Sequence, residues 1–130
     1  MSEIKTDKLT GVGTAGVILV TGEGNSTTTN LQQGLAKAWF TFNFATTVQD
    51  SFNIGSVTDE AAGHCFGNFS SNMNNNDFAH PAMTGAYRTR FENPGPDATT
   101  SRTNTIETYN SSGSSADDNI VNCTVHGDLA

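Results

Sequence analysis

Apolar residues recur at every second position through most of the chain. The clearest stretch is AKAWFTFNF, residues 36 to 44. Ala36, Ala38, Phe40, Phe42 and Phe44 fall on one face, and Lys37, Trp39, Thr41 and Asn43 on the other. That period belongs to a half-buried strand. Phe52 with Ile54, and His64 with Phe66, follow the same alternation, as does the run from Tyr87 through Phe91. Ile120 to Val125, within NIVNCTV, predicts a last strand. Between these runs lie ATTVQD, TDEAAG, SSNMNNND, NPGPD and NSSGSSADD, which carry the chemistry of turns. Pro94 and Pro96 bracket Gly95 and stop any helix or central strand there. The single helical candidate, LQQGLAKAW, is interrupted by Gly34 and runs straight into FTFNF. The pattern predicts an all-β fold, an antiparallel β-sandwich of about seven to nine strands.

Composition shifts near residue 30. Residues 1–30 (IKTDKLTG, AGVILV, GEGNSTTTN) read as an extended N-terminal β arm that cannot close a core by itself. Its apolar run Val17, Ile18, Leu19 and Val20 needs cover from another copy or a partner. Residues 31–130 read as the sandwich domain, compact from Leu35 onward. Trp39, on the face opposite the phenylalanines, is a candidate interface anchor by size and type. The polar stretch SRTNTIETYNSSGSSADD, 101 to 118, reads as an exposed hairpin or ribbon.

Charge narrows the partners. The 130-residue chain has 6 Lys and Arg against 13 Asp and Glu, a net charge of −7. Nucleic acid and anionic membrane surfaces would repel it. No apolar run approaches the roughly 18 residues of a membrane span, and MSEIKTDK lacks the apolar core of a secretion signal. A cytosolic site of synthesis is therefore expected, and Cys65 and Cys123 are expected as buried free thiols, with their pairing left open.

Candidate chemistry is sparse. Gly11, Gly13 and Gly16 spell the dinucleotide fingerprint G-x-G-x-x-G, but the next residues are VILVTG, a strand run where a helix is required. GEGNST lacks the lysine of a phosphate loop. His64 and Cys65 are adjacent, so a strand would point them to opposite faces; His126 and Cys123 are likewise opposed, and His80 stands apart. Asp117, Asp118 and Asn119 lack the downstream glycine and glutamate of a calcium loop. There is no G-x-S-x-G elbow, and Asp59 and Glu60 sit in a turn-like segment. The expectation is no catalytic residue, no cofactor and no metal ligand: a protein that is not an enzyme.

One resemblance adds to this. The order Lys37-Ala38-Trp39, Phe42-Asn43, Asp50-Ser51-Phe52-Asn53-Ile54 and Ser56-Val57-Thr58-Asp59 before a glycine turn resembles a β module of structural and tail-fibre proteins of tailed bacteriophages, marine ones especially. HCFGNFSSNMNNNDF is similar to the latter half of that module, SEIKTDKLTG to the short arm that opens such chains, and TVHGDL to their final strand. The likeness covers most of residues 31 to 85 and, more loosely, both ends, and is weak from 86 to 119. It implies a virion structural protein, assembled as a homotrimer on capsid or tail proteins, without catalytic residues. The short chain also fits a head fibre or a capsid decoration protein. An alternative of another class is a carbohydrate-binding module for host attachment. Its loops would be 72–80 and 93–97, and its aromatic contacts Phe78 and Tyr109.

Overall fold

A computed structural model describes residues 3–14, 17–21, 24, 27–44, 47–91 and 99–130. The chain divides into two units, 1–35 and 36–130. In the first, β1 (Leu19–Thr21) pairs antiparallel with β2 (Thr28–Asn30), Val20 opposite Thr29. One helical turn, α1 (Leu31–Gly34), comes directly after β2. This turn departs from the expectation of no helix. Its cause is local: Asn30 Oδ1 accepts the Gln32 N–H at 2.9 Å as an N-cap, and the chain is extended again at Leu35.

The second unit is a sandwich of two four-stranded antiparallel sheets, as the alternation predicts. Sheet one has the order β4 (Thr47–Phe52), β3 (Ala38–Asn43), β10 (Val121–Val125), β7 (Ala82–Thr84). Sheet two has the order β5 (Ile54–Ala61), β6 (His64–Phe69), β9 (Ile106–Tyr109), β8 (Arg88–Phe91). The core between them is built from Phe40, Phe42, Val121, Cys123 and Val125 of sheet one and Cys65, Phe69 and Ile106 of sheet two, with Met73. Gly67 of β6 faces Phe40 so closely that an added Cβ would stand 2.8 Å from Phe40 Cε1. That glycine sets the distance between the sheets at this point.

Both sheet edges continue into each other. The chain leaves edge strand β4 and enters edge strand β5 through Asn53, whose φ of 55° is left-handed. On the other side it leaves edge strand β7 and enters edge strand β8 through Gly85–Tyr87. Each corner is pinned by one polar side chain. Asn53 Nδ2 donates to the carbonyls of Lys37 and Ser71, both at 3.1 Å, and Oδ1 accepts the Ser71 N–H at 2.7 Å. Asp118 Oδ2 accepts the N–H groups of Ala86 at 3.0 Å and Tyr87 at 2.9 Å. Routing the chain from edge to edge shields the corners, where another strand would otherwise add.

The alternation holds best in β3, where buried and half-buried residues follow each other strictly, and in β10. Elsewhere it needs correction. Phe52 points outward, opposite Trp39, while Ile54 packs on the core, because the corner at Asn53 breaks the period between them. In β6 the buried side carries Cys65, Gly67 and Phe69; His64 and Phe66 face out, and the Arg102 guanidinium covers the Phe66 ring at 4.4 Å. Lys37 is buried beside the same corner, not on an open face. The turn-like ATTVQD and TDEAAG are largely strand, since β4 begins at Thr47 and β5 runs through Asp59 and Glu60.

The largest correction falls on 101–118. Thr103, Thr105, Ile106, Glu107, Thr108 and Asp118 are buried, and β9 is an interior strand of sheet two. Their polar groups are met inside the protein. Thr103 Oγ1 accepts the Gly67 N–H at 3.1 Å, and Thr108 Oγ1 donates to the Ala116 carbonyl at 2.5 Å. The stretch is polar in composition and interior in position.

Candidate functional site

The apolar run of the N-terminal unit is carried on β1 and the residues before it. Val17, Leu19 and Val20 are exposed; Ile18 is half-buried, and its carbonyl accepts the Leu31 N–H at 2.7 Å. Ile18 also lines a hollow of about 320 Å³ with Leu9, Leu31 and Leu35. The Val17 N–H donates to the Thr14 carbonyl at 3.0 Å, and what comes after Gly11 and Gly13 among the described residues is strand β1. Gly16 lies outside the described residues, as do most of GEGNST and all of NPGPD.

Trp39 is half-buried on the outer face of sheet one. Its register partners are Phe52 of β4 and Thr124 of β10, so the three side chains form one row. The next row but one joins Asp50, Thr41, Asn122 and Met83; Thr41 Oγ1 bonds Asn122 Oδ1 at 2.9 Å, and Met83 is exposed. Pro81, Met83, Asn122, Cys123 and Thr124 line a small hollow of about 150 Å³ on this sheet.

Phe78 and Tyr109 lie far apart. Phe78 is half-buried, edge-on to Phe69 with ring centres 5.5 Å apart, and also against His80 at 5.4 Å. It closes one end of the core. Tyr109 lies beyond the other end of β6, two positions past Glu107, the register partner of His64. At about 3.3 Å per residue that separates it from Phe69 by roughly 23 Å along the strands. The two aromatics do not share one site, and loop 93–97 lies outside the described residues.

Tyr109 has a setting of its own. It stands opposite Arg88 in the β8–β9 ladder, and Arg88, Thr89, Tyr109 and Gly113 line an open hollow of about 330 Å³. The wall on the Gly113 side is a turn held by Asn110, whose Oδ1 accepts the N–H groups of Ser112 at 3.0 Å and Ser114 at 3.1 Å. Gly113 itself has φ of 79° and nothing within 4 Å of an added Cβ.

The outer face of sheet two holds a network around Glu107. Glu107 Oε1 accepts the Ser115 hydroxyl at 2.8 Å and stands 3.2 Å from His64 Nε2, while His64 Nδ1 lies 2.9 Å from the Ala62 carbonyl. A nucleophile relay needs the imidazole beside the hydroxyl. Here one carboxylate oxygen, Glu107 Oε1, receives the Ser115 hydroxyl and faces the His64 imidazole, so the hydroxyl proton is directed to the carboxylate. The arrangement ties β6, β9 and the 115 segment together.

The acidic pair at 117 and 118 is also structural. Asp117 Oδ1 accepts the Gly63 N–H at 2.6 Å, whereas Asp118 holds the β7–β8 corner. Burial works against the Asp118 charge, but the N–H groups of Ala86, Tyr87, Ile120 and Asn119 outweigh it and hold the carboxyl below the usual range. Asp59 is pushed up, first by burial of its carboxyl and then by Asp117. Among the described residues no three His, Cys, Asp or Glu side chains gather as metal ligands.

Cys65 and Cys123 are free and buried in the core, one on each sheet, and burial pushes both thiols up to about 12. His80 is buried beside Phe78, which lowers its affinity for a proton. Among the described residues no helix is long and apolar enough to cross a membrane. No protein-family model matches the chain, nor does any curated protein or solved structure.

Proposed function

We propose that the chain is a non-enzymatic structural component of a bacteriophage virion, of the tail-fibre or head-fibre type. It assembles as a homotrimer and attaches to capsid or tail proteins of the particle. The observation that carries this reading is the apolar surface one chain leaves uncovered. Val17 is 46 %, Leu19 58 % and Val20 49 % exposed in the N-terminal unit, and Phe52 52 % and Met83 72 % on the outer face of sheet one. Closed cyclic symmetry is a common way to cover such surface. Neutral Thr and Asn beside it suit subunit packing, because they bond across an interface without burying charge. The virion setting is supported by the resemblance of the 37–59 motif.

Light scattering on the full-length chain tests it. The expected mass is three times that of the chain, falling to one when Leu19 and Val20 are both replaced by lysine, with the circular dichroism of the sandwich unchanged. A monomer at every concentration up to millimolar overturns the assembly reading. The glycan-binding alternative has one specific observation in its favour, the hollow at Tyr109.

A further inference from the structure

The hollow between β8 and the 110–114 turn combines three features. The first is an aromatic side chain carried on a backbone held from both sides. Tyr109 is half-buried on β9, its neighbour Thr108 is fully buried, and its backbone is bridged to Ser115 on one side and paired with Arg88 on the other. The second is an accessible guanidinium. Arg88 is exposed, makes no ion pair among the described residues, and sits directly across the ladder from Tyr109. Residues so placed have Cβ atoms within about 5.5 Å of each other on one face of the sheet. The nearby carboxylate on the same face of β9, Glu107, is engaged by Ser115 and His64. The third is a preformed wall. The Asn110 side chain stitches the turn, and Gly113 leaves the space in front of it open.

We propose that this hollow binds one acidic sugar residue, with its carboxylate on the Arg88 guanidinium and one face of its ring on Tyr109. The volume of about 330 Å³ stands at the lower end of ligand pockets, which suits a single residue rather than a folded chain. A guanidinium presents a fork of N–H donors that matches a carboxylate at two points, and this charge-assisted pair is the strong kind of hydrogen bond. The C–H face of a pyranose gains dispersion contact on an aromatic ring. In a chain of net charge −7 an anion has few places to go. An exposed arginine over an open hollow is one. The fixed turn means little is lost in ordering the site when it is filled.

This inference deepens the glycan-binding alternative and does not depend on oligomeric state. The test is an amide-resolved NMR titration of the full-length chain with galacturonic acid, glucuronic acid and N-acetylneuraminic acid. Galactose, glucose and N-acetylglucosamine serve as neutral counterparts, and benzoate as a carboxylate without a sugar. The expected result is saturable shifts at residues 88–89 and 109–114 with at least one acidic sugar. Its affinity should exceed that of the neutral counterpart about tenfold or more, weaken with added salt, and fall about tenfold in Arg88→Gln. Arg88 is exposed, so the dispersion of the variant spectrum verifies its fold. Equal binding of neutral sugars at these residues overturns the acidic specificity while leaving glycan binding in place. Shifts elsewhere, benzoate binding as well as the sugars, or silence from every sugar overturn the site itself.

Discussion

The side-chain amide of Asn53 grips the backbone of Ser71 at both hydrogen-bonding groups: Nδ2 donates to its carbonyl at 3.1 Å, and Oδ1 accepts its N–H at 2.7 Å. The same Nδ2 donates to the Lys37 carbonyl, and the Asn53 carbonyl accepts the Ser70 N–H. One residue thus turns the chain from sheet one to sheet two and fastens the corner to two other segments. Asparagine tolerates the left-handed backbone better than most residues, and its amide copies a peptide group.

Replacing Asn53 by alanine removes the side-chain bonds and leaves a Cβ residue at a φ of 55°. A loss of about 2–4 kcal/mol of unfolding free energy is expected. Asn53→Gly loses the same bonds but relieves the backbone, so its loss should be smaller. Urea midpoints of the two variants decide this. Equal losses would show that the backbone conformation carries none of the effect.

Stability should fall with acid in two stages. His80 binds a proton less readily folded than unfolded. Its contribution is whole above the ordinary histidine value, about 6.5, and is lost as pH falls through the lower folded value. Asp118 is likewise depressed, so its contribution is whole above the ordinary aspartate value, about 3.9, and is lost below that. His80→Phe should flatten the first stage and Asp118→Asn the second, in thermal melts from about pH 8 to about pH 2. Asp118→Ala should cost about 1–3 kcal/mol at neutral pH, because the corner N–H groups lose their acceptor.

Gly67→Ala puts a methyl group against the Phe40 ring, between the sheets. Overpacking of about 1–3 kcal/mol is expected, with partial recovery in the double variant Gly67→Ala, Phe40→Leu. Chemical denaturation of both variants measures the coupling. Strict additivity would place the strain elsewhere.

Both thiols should resist an aromatic disulfide reagent at about pH 8 in the native protein and react fully in denaturant. They are buried and hold their protons far above that pH. Rapid labelling of either one without denaturant would contradict a closed core between the sheets.

Much of sheet one is legible in the sequence. In β10 apolar and polar residues alternate without interruption, in β3 only Trp39 breaks the alternation, and burial follows a period of two in both. Sheet two is harder to read. Its inner strand β9 is written IETY, and the buried neighbours Thr103, Thr105 and Glu107 look like surface residues. Nothing local distinguishes a threonine whose hydroxyl meets water from one whose hydroxyl meets a distant backbone group. Met73, inside SSNMNNND, is hidden by its polar neighbours for the same reason. Of the candidate site residues, the exposure of Val17, Leu19 and Val20 and the outward side of Trp39 follow from pattern. Phe78 and Tyr109 stand out in the sequence as aromatics, but their different surroundings depend on which strand each adjoins. Arg88 stands out in the sequence as one of two close basic residues with Arg90, but only the β8–β9 register sets it against Tyr109.

The sequence by itself determined an all-β chain, the two faces of β3 and β10, and the shortage of positive charge. Hydrophobic alternation is a local property, and composition needs no fold to be read. Only the tertiary structure decided where the chain changes sheets, which polar residues are interior, and which side chains share a hollow. Those outcomes rest on hydrogen bonds and register between segments distant in sequence, such as Asn53 with Ser71, Asp118 with Tyr87 and Arg88 with Tyr109. Their energy exists only after the sheets have paired.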